Sequence, residues 1–534
     1  MPTSLTISAT ISKVTSLSRA SAAALLMLCA LSLQNVSANE LSPPQTPGVA
    51  IPAGQIEKAV SQIDELAQAL LKRSGIPGMA VAVVRDGKTV YAKGFGLRKS
   101  SKTAAIDADT VFQIASVSKS LSATVVAHQV GQGVIAWNTP ITKHLPWFTL
   151  SDPYVTQHVT VGDMFAHRSG LPDHAGDHLE DLGYDRRQVL QRLKLLPLAS
   201  FRDTYAYTNF GLTAAAEAVA VASSKDWATL AEETIYAPLG MSSTSSRFAD
   251  YMARPNRASP HVKVGNAYET RFQRQPDAQS PAGGVSSSAN DLAKWMAMVM
   301  QNGQFADKQV VEAKALLPAI TAQVISSPSF AADARPGLYG FGFNVNVTPS
   351  GRTELSHSGA FALGAGTAFR ILPQANVGII VLTNASPTGV PEALAAEFSD
   401  LVQFGKVTRD WFPPYAKAMD AIMAPTGELV GKSSPANPAP AKDAAVYTGT
   451  FANAYYGPLT ISNSTSGLVL RIGPKTIELP LRHWSGDEFT VTPASENETP
   501  GSISRVTFAM DGATAKSLTI EYLDADGLGT FTRN

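Results

Sequence analysis

Apolar residues recur along this chain in two periods, and the change from one to the other divides it. Residues 54–73 carry Ile56, Val60, Ile63, Leu66 and Leu70 at helical spacing, and Gly75 marks the stop. Stretches 79–84 and 89–95 then flank Asp86-Gly87, a pair that tolerates the left-handed backbone of a two-residue turn, so a β-hairpin is expected. The middle of the chain reads as mostly helical. Thr160 with Asp163, and Ser288 with Asp291, are candidate N-caps, and helices should end near Gly170 and Gly303. Strands return after Gly351, with 365–372 and 377–383 as antiparallel neighbours and 392–404 as a closing helix. One antiparallel sheet assembled from both ends, with a helical insert between, is an α+β plan.

Residues 433–442 place Pro435, Pro438 and Pro440 among small residues and read as a semi-rigid linker. From Val446 onward the pattern becomes short alternating runs, such as 468–472, 488–492, 506–510 and 518–523, separated by Gly, Asn and Asp-Gly turns. That predicts a small barrel or sandwich of about seven or eight strands. The expected organisation is a leader over 1–38, an α+β domain over 39–410, a linker over 411–442 and a β-domain over 443–534. A proline-rich linker implies that few contacts cross the boundary.

Composition removes several classes of function. Forty-three basic residues balance 43 acidic ones with no basic block, so the electrostatic footprint of a nucleic-acid binder is missing. Cys29 is the one cysteine, which excludes internal disulfides, thiolate metal sites and a cysteine nucleophile beyond the first segment. In that segment Lys13 and Arg19 precede an apolar run over 20–33, then Val36-Ser37-Ala38, the pattern of a secretory signal peptide cleaved after Ala38. A periplasmic or secreted protein without stable membrane insertion is expected, because the run is shorter than the roughly 20 residues that span a bilayer.

Three short stretches carry chemistry. In residues 112–119 an apolar, strand-like approach leads to Ser116 at the opening of a helix, with Lys119 one turn on. A serine hydroxyl needs a neighbouring base near neutral pH, and a desolvated lysine can supply it. Tyr207-Thr208-Asn209 offers a phenol, able to relay protons if a nearby ammonium lowers its pKa, and an amide for a substrate carbonyl. His357-Ser358-Gly359, before Ala360, offers an imidazole and a strand edge that can pair with an extended peptide and donate an oxyanion N–H.

In this order and at these separations the three stretches resemble the penicillin-recognising serine hydrolases: class C β-lactamases, D-alanyl-D-alanine carboxypeptidases, D-aminopeptidases and related esterases. Residues 167–172 (HRSGLP), 281–287 (PAGGVSS) and 339–342 (YGFG) extend the likeness over about residues 55–400. The resemblance implies a β-lactamase/transpeptidase-like fold followed by a lipocalin-like β-domain. It implies Ser116 as acylated nucleophile, Lys119 and Tyr207 sharing general base and acid work, and Asn209 orienting the substrate. The oxyanion hole would be the backbone N–H groups of Ser116 and Ala360, with His357, Ser358 and Gly359 on the substrate-binding strand. Neither cofactor nor metal is implied. The partner expected is a small-molecule or peptide substrate, cut through an acyl-serine intermediate at an amide or ester bond, most plausibly in peptides containing D-residues.

One position departs from the lactamase branch. Class C β-lactamases carry Lys where this chain has His357, so a fixed cation for a substrate carboxylate is missing unless His357 is protonated or Arg335 or Arg352 replaces it. Class C-like lactamase action is the alternative within the family; a non-catalytic peptidoglycan-fragment receptor or polymer-forming protein is the alternative from another class. The complete set of Ser116, Lys119, Tyr207 and Asn209 favours the enzyme. His167, His174 and His178 with Asp173 and Asp177 lack metal-ligand spacing, because Gly170 and Pro172 interrupt any shared helix face.

Overall fold

The computed structural model describes residues 45–465 and 467–534. The expected leader and its cleavage site lie outside the described residues. The α+β part is built on eight antiparallel strands: β1 (Gly78–Arg85), β2 (Lys88–Gly96), β3 (Val324–Ser327), β4 (Gly337–Tyr339), β5 (Asn344–Val347), β6 (Thr353–Phe361), β7 (Ala365–Leu372) and β8 (Val377–Thr383). Their spatial order is β2-β1-β8-β7-β6-β5-β4-β3, so the first hairpin pairs with the last strand, Met79 opposite Thr383. The hairpin turns at Asp86 and Gly87, both with positive φ, as its sequence requires.

Both faces of the sheet are covered, which is why β1 and β8 are apolar almost throughout. Met79, Val81 and Val83 pack with Ile63, Leu70, Leu394 and Phe398 of the terminal helices. Ala80, Ala82 and Val84 belong instead to the large core under the helical insert. Fully burying each Val, Leu, Ile, Phe or Met side chain among them contributes about 1.5–3 kcal/mol. The expected helix over 54–73 is two helices, Gln55–Ser61 and Ile63–Ser74, because Gln62 turns its N–H onto Ala59 and Val60 and re-aims the apolar face. Thr160 and Ser288 cap as expected. The first of those helices stops at Phe165 rather than near Gly170, where His167 takes φ 56° and folds the chain back.

The C-terminal part is a nearly closed antiparallel barrel of nine strands, one or two more than the pattern suggested. They are β9 (Gly449–Asn453), β10 (Gly457–Ser464), β11 (Gly467–Ile472), β12 (Ile477–Pro480), β13 (Arg482–Ser485), β14 (Glu488–Val491), β15 (Ser504–Asp511), β16 (Thr514–Ile520) and β17 (Thr530–Arg533). The two edge strands, β12 and β13, are consecutive in the chain with Leu481 alone between them.

Two expectations about the join between the parts are corrected. The stretch 411–442 is not linker throughout, because Phe412–Ile422 is a helix with proline in its first turn. It lies on the Val390–Phe404 helix, where Gly389 admits the Tyr415 backbone and Arg370 donates to the Tyr415 hydroxyl at 2.6 Å. Nor do few contacts cross the boundary. Tyr184 donates to the Tyr456 carbonyl at 2.8 Å, Asp181 accepts from Ser495 and Asn497, and one apolar core runs through both parts.

Candidate active site

The site begins with a sharp turn. Phe112 and Gln113 pair with Ser287 and Ser286, and the chain reverses at Ala115, whose φ of 47° is costly for a residue with a Cβ. Ser116 thereby caps the buried Val117–Gly131 helix and faces a cavity of about 520 Å³. Lys119, one turn further and fully buried, reaches back so that Nζ lies 3.1 Å from Ser116 Oγ. Nζ is also 2.7 Å from Asn209 Oδ1 and 2.9 Å from the Ala282 carbonyl. Burial lowers the Lys119 pKa to about 7 against the opposing pull of the Asp177 carboxylate. A neutral amine has two N–H groups and one lone pair. The two carbonyl acceptors take the N–H groups, and the lone pair is left facing the Ser116 hydroxyl.

Tyr207 completes the other side. Its ring lies 4.5 Å from Lys119 Nζ, and its hydroxyl shares a hydrogen bond with Ser116. The lowered phenol pKa expected from a nearby ammonium is not found, because burial outweighs every other influence and raises it. Tyr207 is therefore a hydroxyl, not a phenolate. Asn209, expected to bind a substrate carbonyl, has both ends of its amide engaged: it accepts from Lys119 and donates to Asp177 Oδ2 at 2.8 Å. The same Asp177 oxygen lies 2.8 Å from His174 Nδ1.

Strand β6 supplies the facing wall. Its alternation exposes Ser358 and Ala360 to the cavity and buries His357 and Gly359, while Phe361 and Ala362 line the cavity at the end of the strand. A Cβ at Gly359 would run into the Ile114 carbonyl and the Thr367 hydroxyl and lie 3.0 Å from Ser116 N, so the close approach of strand to nucleophile requires glycine. His357 is not the cation the sequence allowed. It is 5% exposed, Nδ1 donates to the Ser358 carbonyl at 2.6 Å and Nε2 accepts from the Tyr339 hydroxyl at 2.9 Å. Burial and the Lys119 charge push its pKa down to about 3. Neither suggested arginine substitutes for it: Arg335 is exposed away from the cavity, and Arg352 is tied to Ser350 and the Val49 carbonyl. The arginine that lines the cavity is Arg274, buried against Glu180 and 3.9 Å from Glu496.

Sequence reading missed two walls of this cavity. Met419, Ile422 and Met423, at the end of the Phe412–Ile422 helix, form an apolar side, and Glu496, Asn497 and Thr499 of the barrel form another. No local pattern links those residues to Ser116, since the packing of that helix on Val390–Phe404 and the docking of the barrel bring them there. Asp177, which the sequence offers only as part of a histidine-rich stretch, accepts from Asn209, and the three histidines near it diverge. His167 lies under the Tyr207 ring, His174 on Asp177, and His178 4.0 Å from Glu498.

The chain is similar to known proteins in sequence and in fold. The family model described as Beta-lactamase matches residues 63–404, and a domain of unknown function, DUF3471, matches 433–529. The chain belongs to the β-lactamase family. A curated relative, the unguisins hydrolase ungD' of Aspergillus campestris, is 28% identical over 336 residues, 61% of this chain; the chain spans 61% of that relative's length. The D-alanyl-D-alanine-carboxypeptidase/endopeptidase AmpH of Escherichia coli is 25% identical, covering 70% of this chain and 94% of its own. The octameric penicillin-binding protein homologue from Pyrococcus abyssi shares the fold at TM-score 0.58 and 18% identity, over 86% of this chain and 98% of that one. The protein is thus a serine hydrolase of the β-lactamase family.

Proposed function

We propose that the protein cleaves small amide or ester substrates through an acyl-serine intermediate, D-residue-containing peptides being the favoured class, and that it works in the periplasm or outside the cell. Ser116 is the nucleophile. Neutral Lys119 takes its proton through the lone pair that Asn209 and Ala282 leave free, and the Tyr207 hydroxyl relays a proton to the leaving group. The backbone N–H groups of Ser116 and Ala360 receive the oxyanion, and the exposed edge of β6 pairs with the substrate backbone. Asn209 holds Lys119 through its amide oxygen, and the second N–H of its amide is left for the substrate.

The observation that carries this reading is the three-way contact at Lys119 Nζ, which aims a partly deprotonated amine at a serine hydroxyl. Lactamase action is disfavoured by the same site: His357, at the position where class C β-lactamases carry Lys, is neutral, and Arg274 is committed to Glu180. The N-terminal charge and apolar pattern supports export, and the name of the Escherichia coli carboxypeptidase/endopeptidase relative supports D-residue-containing peptides as substrates. A fluorophosphonate should label Ser116 and no other residue, and Ser116→Ala should remove both labelling and ester turnover. Intact mass measured after exposure to a penicillin, an activated ester and a D-Ala-D-Ala peptide then ranks the substrate classes. Labelling that persists in Ser116→Ala defeats the assignment.

A further inference from the structure

Glu496 belongs to the barrel, on the loop between β14 and β15, yet its carboxylate leaves the barrel altogether. Oε1 accepts the Ala362 N–H at 2.7 Å and Oε2 accepts the Leu363 N–H at 3.3 Å. Ala362 and Leu363 make the turn between β6 and β7, directly after the stretch Ser358–Phe361 that faces Ser116. The loop is fixed on both sides of Glu496: Ser495 Oγ and Asn497 Nδ2 donate to Asp181 Oδ2 at 2.6 and 2.8 Å. Arg274, held by Glu180, lies 3.9 Å from Glu496 Oε2 and favours its ionised form, although burial outweighs that pull and raises the Glu496 pKa to about 8. The seat of the barrel and the position of the oxyanion strand therefore share one side chain.

We propose that Glu496 is a positioning residue for hydrolysis: by holding the β6–β7 turn from the barrel it sets the distance of the Ala360 N–H from Ser116, so turnover depends on a seated barrel. The inference rests on the reading that those two N–H groups form the oxyanion hole. A displacement of about 1 Å at a reacting centre is enough to cost about a hundredfold in rate. In the ionised form both carboxylate oxygens accept, whereas an amide in the same place has one oxygen to accept with and presents an N–H₂ to the second donor, so the variants are compared above about pH 8.

The test compares Glu496→Gln and Glu496→Ala with Tyr184→Phe in the full chain. The last variant removes a barrel contact, the bond to the Tyr456 carbonyl, without touching the turn. Expected for Glu496→Gln is a fall of about tenfold in kcat and in the fluorophosphonate labelling rate, with KM within about twofold. Expected for Glu496→Ala is a larger fall of the same kind. End-point labelling of Ser116 should remain complete in both, which establishes that the sites are folded. Tyr184→Phe should lower Tm and leave kcat unchanged. Rates for both Glu496 variants within about twofold of wild type, per labelled site, would overturn the proposal, as would a kcat loss in Tyr184→Phe equal to theirs. If the wild-type adduct maps away from Ser116, the catalytic reading itself falls and this inference with it; a wild-type adduct on Ser116 with unaffected Glu496 variants sinks the inference alone.

Discussion

At the scale of single residues the decisive quantity is the charge on Lys119. Its pKa is lowered to about 7, so below that pH the amine is an ammonium with no lone pair for Ser116, and above it the base is ready. We expect kcat/KM for a neutral ester to rise with pH through about 7 and then level, since Tyr207, its pKa raised, keeps its proton. Lys119→Ala should cost about 10²–10⁴-fold in kcat/KM, measured on the same ester. His357 gives the opposite kind of prediction. The sequence shows an imidazole where related enzymes have an ammonium and invites a pH-dependent cation; buried and held by Tyr339, it is neutral above about pH 3. His357 should therefore add no slope to the ratio of kcat/KM for an anionic and a neutral substrate between about pH 5.5 and 8.5, so His357→Gln should leave the pH profile of that ratio unchanged, where an exposed histidine of pKa about 6.5 would shape it. The pairing of Ser116 with Lys119 was legible because a three-residue spacing on one helix face is local geometry, whereas Tyr207 and Asn209, the latter 90 residues from Lys119, were legible through the family resemblance. Charge states were not, because desolvation is set by what the rest of the chain packs around a group.

At the scale of elements, legibility followed the range of the forces involved. The hairpin at Asp86-Gly87 and the capped helices beginning after Thr160 and Ser288 are decided by a few adjacent residues, and they stand where the pattern placed them. The Phe412–Ile422 helix was hidden by its flanking prolines and by an apolar face that buries no residue completely, so its role is visible only against the cavity it borders. Ile422, 65% exposed, is a surface position by stability criteria, and Ile422→Asp should change stability by no more than about 0.5 kcal/mol. It should nevertheless reduce kcat/KM for esters with a long apolar acyl group more than for acetyl esters, which a chain-length series would measure. Strand β6 is the less forgiving element. Gly359→Ala forces it off the Ile114 carbonyl and away from Ser116, so we expect the labelling rate to collapse while thermal melting reports a loss of about 1–3 kcal/mol.

At the scale of the molecule, the proline-rich stretch suggested two separable domains, and the interface says otherwise. With a common apolar core, Asp181 bonded into the barrel loop and Thr499 lining the cavity, removal of 443–534 should leave an insoluble or inactive remainder, checked by yield and by Ser116 labelling. The sheet order has its own consequence. Met79 pairs with Thr383, so the first-made hairpin lacks its partner until almost the whole α+β part has emerged during synthesis, a connectivity that favours slow folding. The same stitching protects the finished molecule. A protease that cuts the exposed connection between β3 and β4, where Phe330 is 94% exposed, leaves β1 and β2 on one fragment and β8 on the other, held edge to edge. The nicked protein should elute as one particle on a sizing column and come apart only in denaturant, and its two halves, produced as separate chains, are a natural pair for fragment complementation.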